Sequence, residues 1–222
     1  MILEGINITK SYQQGKTKIP VLNNLSVNLK PEEKLAILGK SGSGKSTLLS
    51  LISGLDYADS GQLKLLGKNI FEMDETQITK FRGRHLGIIF QQFHLIPHLS
   101  ALENVSLPLE ILGEKNAQKR AQELLEKVGL SKRMKHLPVQ LSGGEMQRVA
   151  VARALSTSPD LILADEPSGS LDEHNAQDIV DLLFSLVDQE KKSLILVTHD
   201  LDLSRRCQRR LTLEDGLLSE IN

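Results

Sequence analysis

Hydrophobic residues change their spacing several times along this chain, and the changes divide it into segments. Near the start, Ile6 and Ile8, then Leu25, Val27 and Leu29, alternate with polar neighbours. A period of two predicts strands with one buried face. The polar stretch 13–18 reads as the loop between them. Residues 34–38, Lys-Leu-Ala-Ile-Leu, form a short unbroken apolar run, the pattern of a parallel strand buried on both faces. From Lys45 onward, Leu48, Leu49, Leu51 and Ile52 give helical character, and Gly54 supplies a C-terminal stop. Ser60-Gly61 then turns the chain into a strand over 62–66, and residues 86–90 are again strand-like.

From about Phe93 to Ser158 the texture differs. Segments 101–112, 117–128 and 145–155 show helical spacing, broken at Pro108, Gly113 and Pro138, so this stretch is expected to be a helical insertion into an α/β core. The core pattern then resumes with a strand at 161–164, a helix at 176–189, a strand at 193–197 and a hairpin around Asp215-Gly216. Strands alternating with helices predict a parallel sheet with right-handed crossovers.

Composition narrows the classes. With 222 residues, 40% hydrophobic and 25% charged, the chain can bury a core and is not disordered. Its net charge of −1, from 27 basic and 28 acidic residues, gives no electrostatic reason to expect nucleic acid. Aromatic content of 3%, with no Trp, argues against a base-stacking surface for single strands. The single Cys207 can form no internal disulfide, which suits a reducing compartment, and is expected to be a surface or packing thiol without a role. Met1-Ile2-Leu3-Glu4 lacks the basic start of a signal peptide. No apolar stretch approaches the roughly 18–20 residues of a membrane span. The expectation is a soluble chain whose membrane role, if any, comes through a partner.

The chemistry is concentrated at two phosphate cradles. Gly39, Lys40, Ser41, Gly42, Ser43, Gly44, Lys45 and Ser46 fit G-x-x-x-x-G-K-[ST] without mismatch, between a strand and a helix. Glycines let such a loop curl and aim its N–H groups at phosphate oxygens. Lys45 is placed to reach the β- and γ-phosphates, the Ser46 hydroxyl to ligate Mg²⁺, and Thr47 to add an α-phosphate contact. Far downstream, Leu141-Ser142-Gly143-Gly144-Glu145 presents a second set of backbone N–H groups at a helix start. One nucleotide does not need two cradles from one chain, so two copies are expected to share each nucleotide.

Acidic and polar residues at strand ends supply the rest. The apolar run 161–164 ends in Asp165 and Glu166, and buried adjacent carboxylates are costly unless a cation or a proton transfer uses them. Asp165 is expected to hold Mg²⁺ and Glu166 to orient or deprotonate water as general base. His199 follows another apolar run, where it can sense the γ-phosphate. Gln91, with Gln92 beside it, ends the 86–90 strand and can reach both Mg²⁺ and the water. Tyr12 ends the first strand and can stack on adenine. His94 and His98 are spaced by four, but Pro97 between them argues against a metal-binding helix face.

Taken in order, these motifs resemble the nucleotide-binding subunit of ATP-binding cassette (ABC) transporters over essentially the whole length. Within that family the chain is similar to the LolD/MacB group through Phe90-Gln91-Gln92-Phe93-His94-Leu95-Ile96-Pro97 and Ala101-Leu102-Glu103-Asn104-Val105. Residues 182–186 and 205–211 look closer to the YbbA-type branch. Met146 and Ser170 depart from the pattern, standing where a glutamine and an asparagine are common.

The resemblance implies an α/β P-loop NTPase (RecA-like) fold: a parallel-sheet core, an N-terminal antiparallel β subdomain and an inserted α-helical subdomain. It would form one domain over 1–222, with the core and β subdomain at 1–91 and 159–222 and the helical subdomain at 92–158. It also implies ATP and Mg²⁺ as cofactors, Asp172 in the D-loop, and a head-to-tail homodimer holding two ATP molecules. The phosphate loop of one chain would face Ser142-Gly143-Gly144 of the other. Integral membrane permease subunits are the implied partners, with Phe93, Leu95, Ile96 and Leu99 forming a groove for a short permease helix. The place implied is the cytoplasmic face of the inner membrane. An alternative is a soluble ABC ATPase in DNA repair or translation, but such relatives usually carry coiled coils, zinc sites or duplicated cassettes, and none is visible here.

A shared site predicts a mixing result. In heterodimers of Gly143→Asp and Lys45→Ala chains, one composite site is free of both changes and should bind ATP. If all nucleotide contacts came from a single chain, no intact site would remain. Nucleotide occupancy of purified heterodimers decides between the two.

Overall fold

The long hairpin at the start pairs β1 (Leu3–Gln14) with β2 (Thr17–Leu29) in antiparallel register, in a computed structural model that describes residues 1–221. Asn222, the last residue of the expected core span, lies outside the described residues. The expected loop 13–18 shrinks to the two turn residues Gly15-Lys16, because backbone pairing continues through Gln14 and Thr17 without needing apolar side chains. Ile6 and Ile8 do not share a face as their alternation suggests. Ile8 is fully buried and Ile6 is 40% exposed. Between Gly5 and Ile8 the register shifts, with Asn7 at φ 53°, and this bulge resets the side-chain phase.

The chain folds as two units, Met1–Arg82 with Ser193–Asn222, and Gly83–Lys192. In the first, β4 (Ser60–Leu65) pairs with the free side of β1 and β5 (Lys68–Asn69) with β4, giving an antiparallel sheet in the order β2-β1-β4-β5. Leu3, Leu22, Leu25, Leu29 and Leu63 line its buried side. The same unit sets β3 (Lys34–Leu38) between two parallel neighbours, β8 (Ser193–Val197) and β9 (Arg209–Glu214). Every residue of β8 is buried, and β3 is buried from Leu35 on. The hairpin from β9 to β10 (Leu217–Glu220) turns at Asp215 and Gly216, both with positive φ, as a tight two-residue turn requires. Three helices complete the set: α1 (Lys45–Ile52), α2 (Glu75–His85), which carries the chain into the second unit, and the single turn α7 (Leu201–Ser204). The sequence reading leaves α2 unassigned because it buries only Ile78 and Phe81 and so has no apolar stripe.

In the second unit β6 (Leu86–Ile89) and β7 (Leu161–Asp165) pair in parallel, Leu86 opposite Leu161 and Ile89 opposite Ala164. Helices α3 (Ala101–Ile111), α4 (Ala117–Lys127) and α5 (Gly143–Leu155) pack on one another, and α5 also touches β6 and α6 (Glu173–Gln189). Val105, Ala121, Leu124, Val149 and Ala152 are at the centre of that packing. Pro108 was expected to break α3 but lies inside it. An interior proline costs about 3 kcal/mol, and burial of Ala101, Val105 and Leu109 on the same helix offsets that. Helix α6 begins at Glu173, earlier than its hydrophobic period suggests, because the Asp172 side chain caps it by accepting from the Asn175 N–H.

Helix α5 meets β6 closely at Gly87, where an added Cβ would sit 2.2 Å from the Ala154 carbonyl oxygen. Backbone cannot move aside as a flexible side chain can. Gly87→Ala should therefore destabilise the protein by about 2–3 kcal/mol, read as a fall in the urea midpoint. An unchanged midpoint would show that this approach is not rigid.

Candidate functional site

In the first unit, β3 delivers the chain to the phosphate loop at Gly39. Glycines 39, 42 and 44 have φ of 155°, 81° and 103°, and Gly44 forms the left-handed entry to α1. A Cβ at Gly39 would lie 2.6 Å from both the Leu213 carbonyl and Ser43 Oγ, so only glycine fits. Lys45 folds back over the loop, its Nζ donating to the Gly39 carbonyl at 2.6 Å and the Lys40 carbonyl at 2.9 Å. The ammonium is thereby held at the mouth of the curl. Ser43 Oγ is buried without a hydrogen-bond partner. A buried orphan hydroxyl is costly, and an incoming phosphate oxygen would relieve it. The loop thus fits a polyphosphate on its own geometry. Lys40, Ser41, Gly42 and Ser43 border a cleft of about 590 Å³ that runs to Ile19, Pro20 and Val21 of β2. Ser46 and Thr47 follow in the first turn of α1.

Two further expected residues lie in this unit. His199 is exposed just beyond the C-terminal end of β8. Since Ile37 pairs with Val197 and the Thr198 N–H donates to the Ile37 carbonyl, the phosphate loop and His199 leave the sheet at the same edge. Tyr12 is in β1 opposite Ile19, 42% exposed, with its hydroxyl donating to Asp56 Oδ2 at 2.7 Å. Sequence reasoning missed Asp56 and its ion-pair partner Lys10, 2.7 Å away. Burial works to raise the Asp56 carboxyl, but hydrogen bonds from Lys10, Tyr12 and the Tyr57 amide outweigh it and hold the group below its usual value. Asp56 therefore remains an anion that both partners can use.

The second unit carries the expected hydrolytic groups. Asp165 ends β7 and Glu166 follows it at φ 46°, a left-handed conformation that costs a non-glycine residue about 1–2 kcal/mol. The Gly169 N–H closes a turn onto the Glu166 carbonyl at 3.0 Å. Gln91 is exposed just beyond β6. A Cβ on Gly169 would come within 3.0 Å of its side-chain amide, so glycine there leaves that side chain room. Backbone carbonyls around Gln91 are held from outside the segment. Ser170 Oγ donates to the Gln91 carbonyl at 2.6 Å, and Arg153 donates to those of His94 at 2.6 Å and Phe93 at 2.9 Å. Gln147, fully buried on α5, donates to the Pro167 carbonyl at 2.6 Å. Arg153 and Gln147 carry no motif, which is why the sequence did not single out their roles.

The second cradle is built by a capping box. Ser142 Oγ accepts from the Glu145 N–H at 3.2 Å, the Glu145 carboxylate accepts from the Ser142 N–H at 2.9 Å, and Arg133 pairs with Glu145 at 2.9 Å. The Ser142 amide bond is the chief reason that the Glu145 carboxyl lies below its usual value. Both signature glycines also have neighbours in their own chain. A Cβ on Gly144 would meet Asn175 Oδ1 at 3.0 Å, and one on Gly143 would meet the flexible Leu171 side chain at 3.3 Å. Asp172 is engaged as the α6 cap, its carboxylate accepting from the Asn175 side chain and amide, which lower its pKa.

Leu95, Ile96 and Leu99 are half-buried, as is Phe93, and the loop they share is organised by Asn104. That fully buried amide accepts from the Ile96 N–H and donates to the carbonyls of Ile96, Leu99 and Ser100. His94 stacks edge-on against Phe90, ring centroids 4.9 Å apart.

A family model described as ABC transporter matches residues 22–169. The uncharacterized ABC transporter ATP-binding protein YbbA of Escherichia coli K12 is 49% identical over 221 residues, covering 99% of this chain and 97% of that protein. The lipoprotein-releasing system ATP-binding protein LolD of Hahella chejuensis is 46% identical over 222 residues, covering 99% of this chain and 96% of that one. Among solved structures, the dimeric post-hydrolysis state of the ATP-binding cassette MJ0796 bound to ADP and Pi aligns with a TM-score of 0.90 at 39% identity. It covers 98% of this chain and 97% of its own.

Cys207 is buried, and desolvation pushes its thiol up to about 12, against smaller opposing effects of Lys34 and Arg206. At pH 8 the folded chain should react with a thiol-specific disulfide reagent at least about 100-fold more slowly than the urea-unfolded chain, since the thiolate is the reactive form. Equal rates would place this thiol at the surface.

Proposed function

This chain belongs to the ABC transporter family, and we propose that it is the ATP-hydrolysing motor subunit of a transporter whose membrane-spanning part is a separate permease. The fold is that of an ABC ATPase cassette, an α/β P-loop NTPase. The observation that carries the proposal is the phosphate loop: three left-handed glycines, Lys45 poised on the loop carbonyls, and the orphan hydroxyl of Ser43.

In this mechanism Lys45 exchanges its two carbonyl partners for β- and γ-phosphate oxygens, and Ser43 gains the bond it lacks. The backbone amides from Gly39 to Thr47 take the remaining phosphate charge. Ser46, Gln91 and Asp165 offer a hydroxyl, an amide oxygen and a carboxylate, the hard oxygen donors that suit Mg²⁺. When bound, that ion neutralises charge building up on the phosphates. Glu166 orients the attacking water and accepts its proton, His199 hydrogen-bonds the γ-phosphate, and Gln91 reports its presence. Tyr12 stacks on the adenine.

Two copies are proposed to close around two ATP molecules, each held by the phosphate loop of one chain and Ser142-Gly143-Gly144 of the other, with Asp172 at the interface. The dimeric state of MJ0796 supports this arrangement. The names of the relatives support a transport role over DNA repair or translation, and no nucleic acid is proposed. Among the described residues no helix is long and apolar enough to cross a membrane. The transporter names of the relatives support placing the chain at the cytoplasmic face of the inner membrane, held there by permease subunits of the lipoprotein-release or macrolide-export type that bind near Phe93, Leu95, Ile96 and Leu99. The proposed organisation remains one domain, with the helical subdomain at 92–158 inserted into the core.

Glu166→Gln keeps the shape of the side chain and removes the base. The purified variant should bind ATP normally, hydrolyse it at least about 100-fold more slowly, and elute as an ATP-bound dimer in size-exclusion chromatography. Hydrolysis at the parental rate would overturn the role given to Glu166.

A further inference from the structure

Tyr12 is not a free ring at the end of a strand. Its hydroxyl donates to Asp56 Oδ2 at 2.7 Å. The Lys10 ammonium lies 4.9 Å from the centre of the Tyr12 ring, over its face. That ammonium is fixed in turn by Asp56 Oδ1 at 2.7 Å and by the Tyr57 carbonyl at 2.7 Å. Lys10 is only 9% exposed, whereas Tyr12 is 42% exposed. One carboxylate thus anchors both the edge of the ring and the cation on its face, while the ring itself stays open to the solvent.

We propose that Lys10 and Asp56 are positioning residues for the nucleobase: together they fix the orientation of the Tyr12 ring before nucleotide arrives and set the affinity for the adenine end of ATP. This deepens the proposed function and rests on the assignment of Tyr12 as the adenine platform. A phenol ring in a loosely held strand end would lose rotational freedom on stacking, and that entropy would be deducted from binding. A ring already held at its hydroxyl and along one face loses less. The ammonium further polarises the ring, so that the face left open presents a fixed surface to a base. Asp56, whose own N–H donates to the Ser50 carbonyl of α1, ties this platform to the helix that begins at the phosphate loop, so its distance to that loop is set by the fold.

The chain offers an unusually direct test because it has no Trp and only two tyrosines. In a Tyr57→Phe background, intrinsic emission reports Tyr12 alone. In that background ATP should quench the emission and tripolyphosphate should not. Asp56→Asn and Lys10→Met should each weaken ATP binding by about 3–10-fold, from one lost charge-assisted hydrogen bond or cation–ring contact. Tripolyphosphate affinity and kcat should be unchanged, so that the loss appears in KM.

The Tyr12 phenol, titrated by absorbance, separates positioning from mere damage. Burial, then Asp56, raises its pKa, while Lys10 lowers it. Asp56→Asn should therefore move the titration down and Lys10→Met should move it up, although both weaken ATP. Asp56→Asn preserves shape, and its one amide oxygen can still accept the Tyr12 hydroxyl while Lys10 keeps the Tyr57 carbonyl; a cooperative urea transition for this variant keeps the test readable even if Lys10→Met unfolds. Equal losses for ATP and tripolyphosphate, or parental ATP affinity in Asp56→Asn while ATP still quenches Tyr12, would overturn the inference and leave the adenine assignment standing. Absence of quenching by ATP in the parental background, with Tyr12→Ala binding ATP normally, would instead remove that assignment.

Discussion

Everything in the first unit that bears on phosphate depends on the curl from Gly39 to Lys45. The curl exists because β3 is buried between β8 and β9, which fixes where the chain leaves the sheet. At that point the Leu213 carbonyl stands so close that residue 39 can carry no Cβ. The backbone then turns its carbonyls inward onto Lys45, and one loop hydroxyl is left without a partner. A loop that spends its hydrogen bonds this way is less stable empty than filled, and binding recovers the difference. The cost is tolerated because the flanking strands are among the most deeply buried elements of the chain.

In the second unit the same economy takes another form. The segment after β6 has little regular structure, yet its carbonyls are met by Ser170 and Arg153, and its continuation is pinned by Asn104. Burial presses the Arg153 guanidinium below its usual value, but the charge persists because an arginine stays protonated far above neutrality. Ser170 joins the Gln91 backbone to the turn that begins at the strained Glu166. The serine that departs from the family pattern is no loss at this position: it supplies a 2.6 Å hydrogen bond to the Gln91 carbonyl.

Ser142 and Asp172 show how one residue can be both a helix cap and a proposed binding group. Each closes the first turn of its own helix, and each is exposed at a helix N-terminus. The glycines between Ser142 and Glu145 are needed twice, for the phosphate they are proposed to meet and for the room that Asn175 and Leu171 already occupy. Sequence motifs advertise only the first of these reasons.

The amino-acid sequence determined the alternation of strands and helices, the phosphate loop and the helix start after Leu141, because each rests on local chemistry: apolar period, glycine conformational freedom, and backbone N–H groups left open at a helix N-terminus. It marked Tyr12, Gln91, Asp165, Glu166 and His199 by their places at strand ends. Tertiary structure decided the rest. Whether Ile6 faced inward depended on a bulge at Asn7, and whether Pro108 ended its helix depended on what the helix packs against. Helix α2 had no apolar stripe to betray it. Lys10 and Asp56, Gln147, and Arg153 with Phe93 act across separations of 46, 20 and 60 residues. No local pattern records such pairings, because they arise only when folding brings the groups together and burial makes each unmet polar atom expensive.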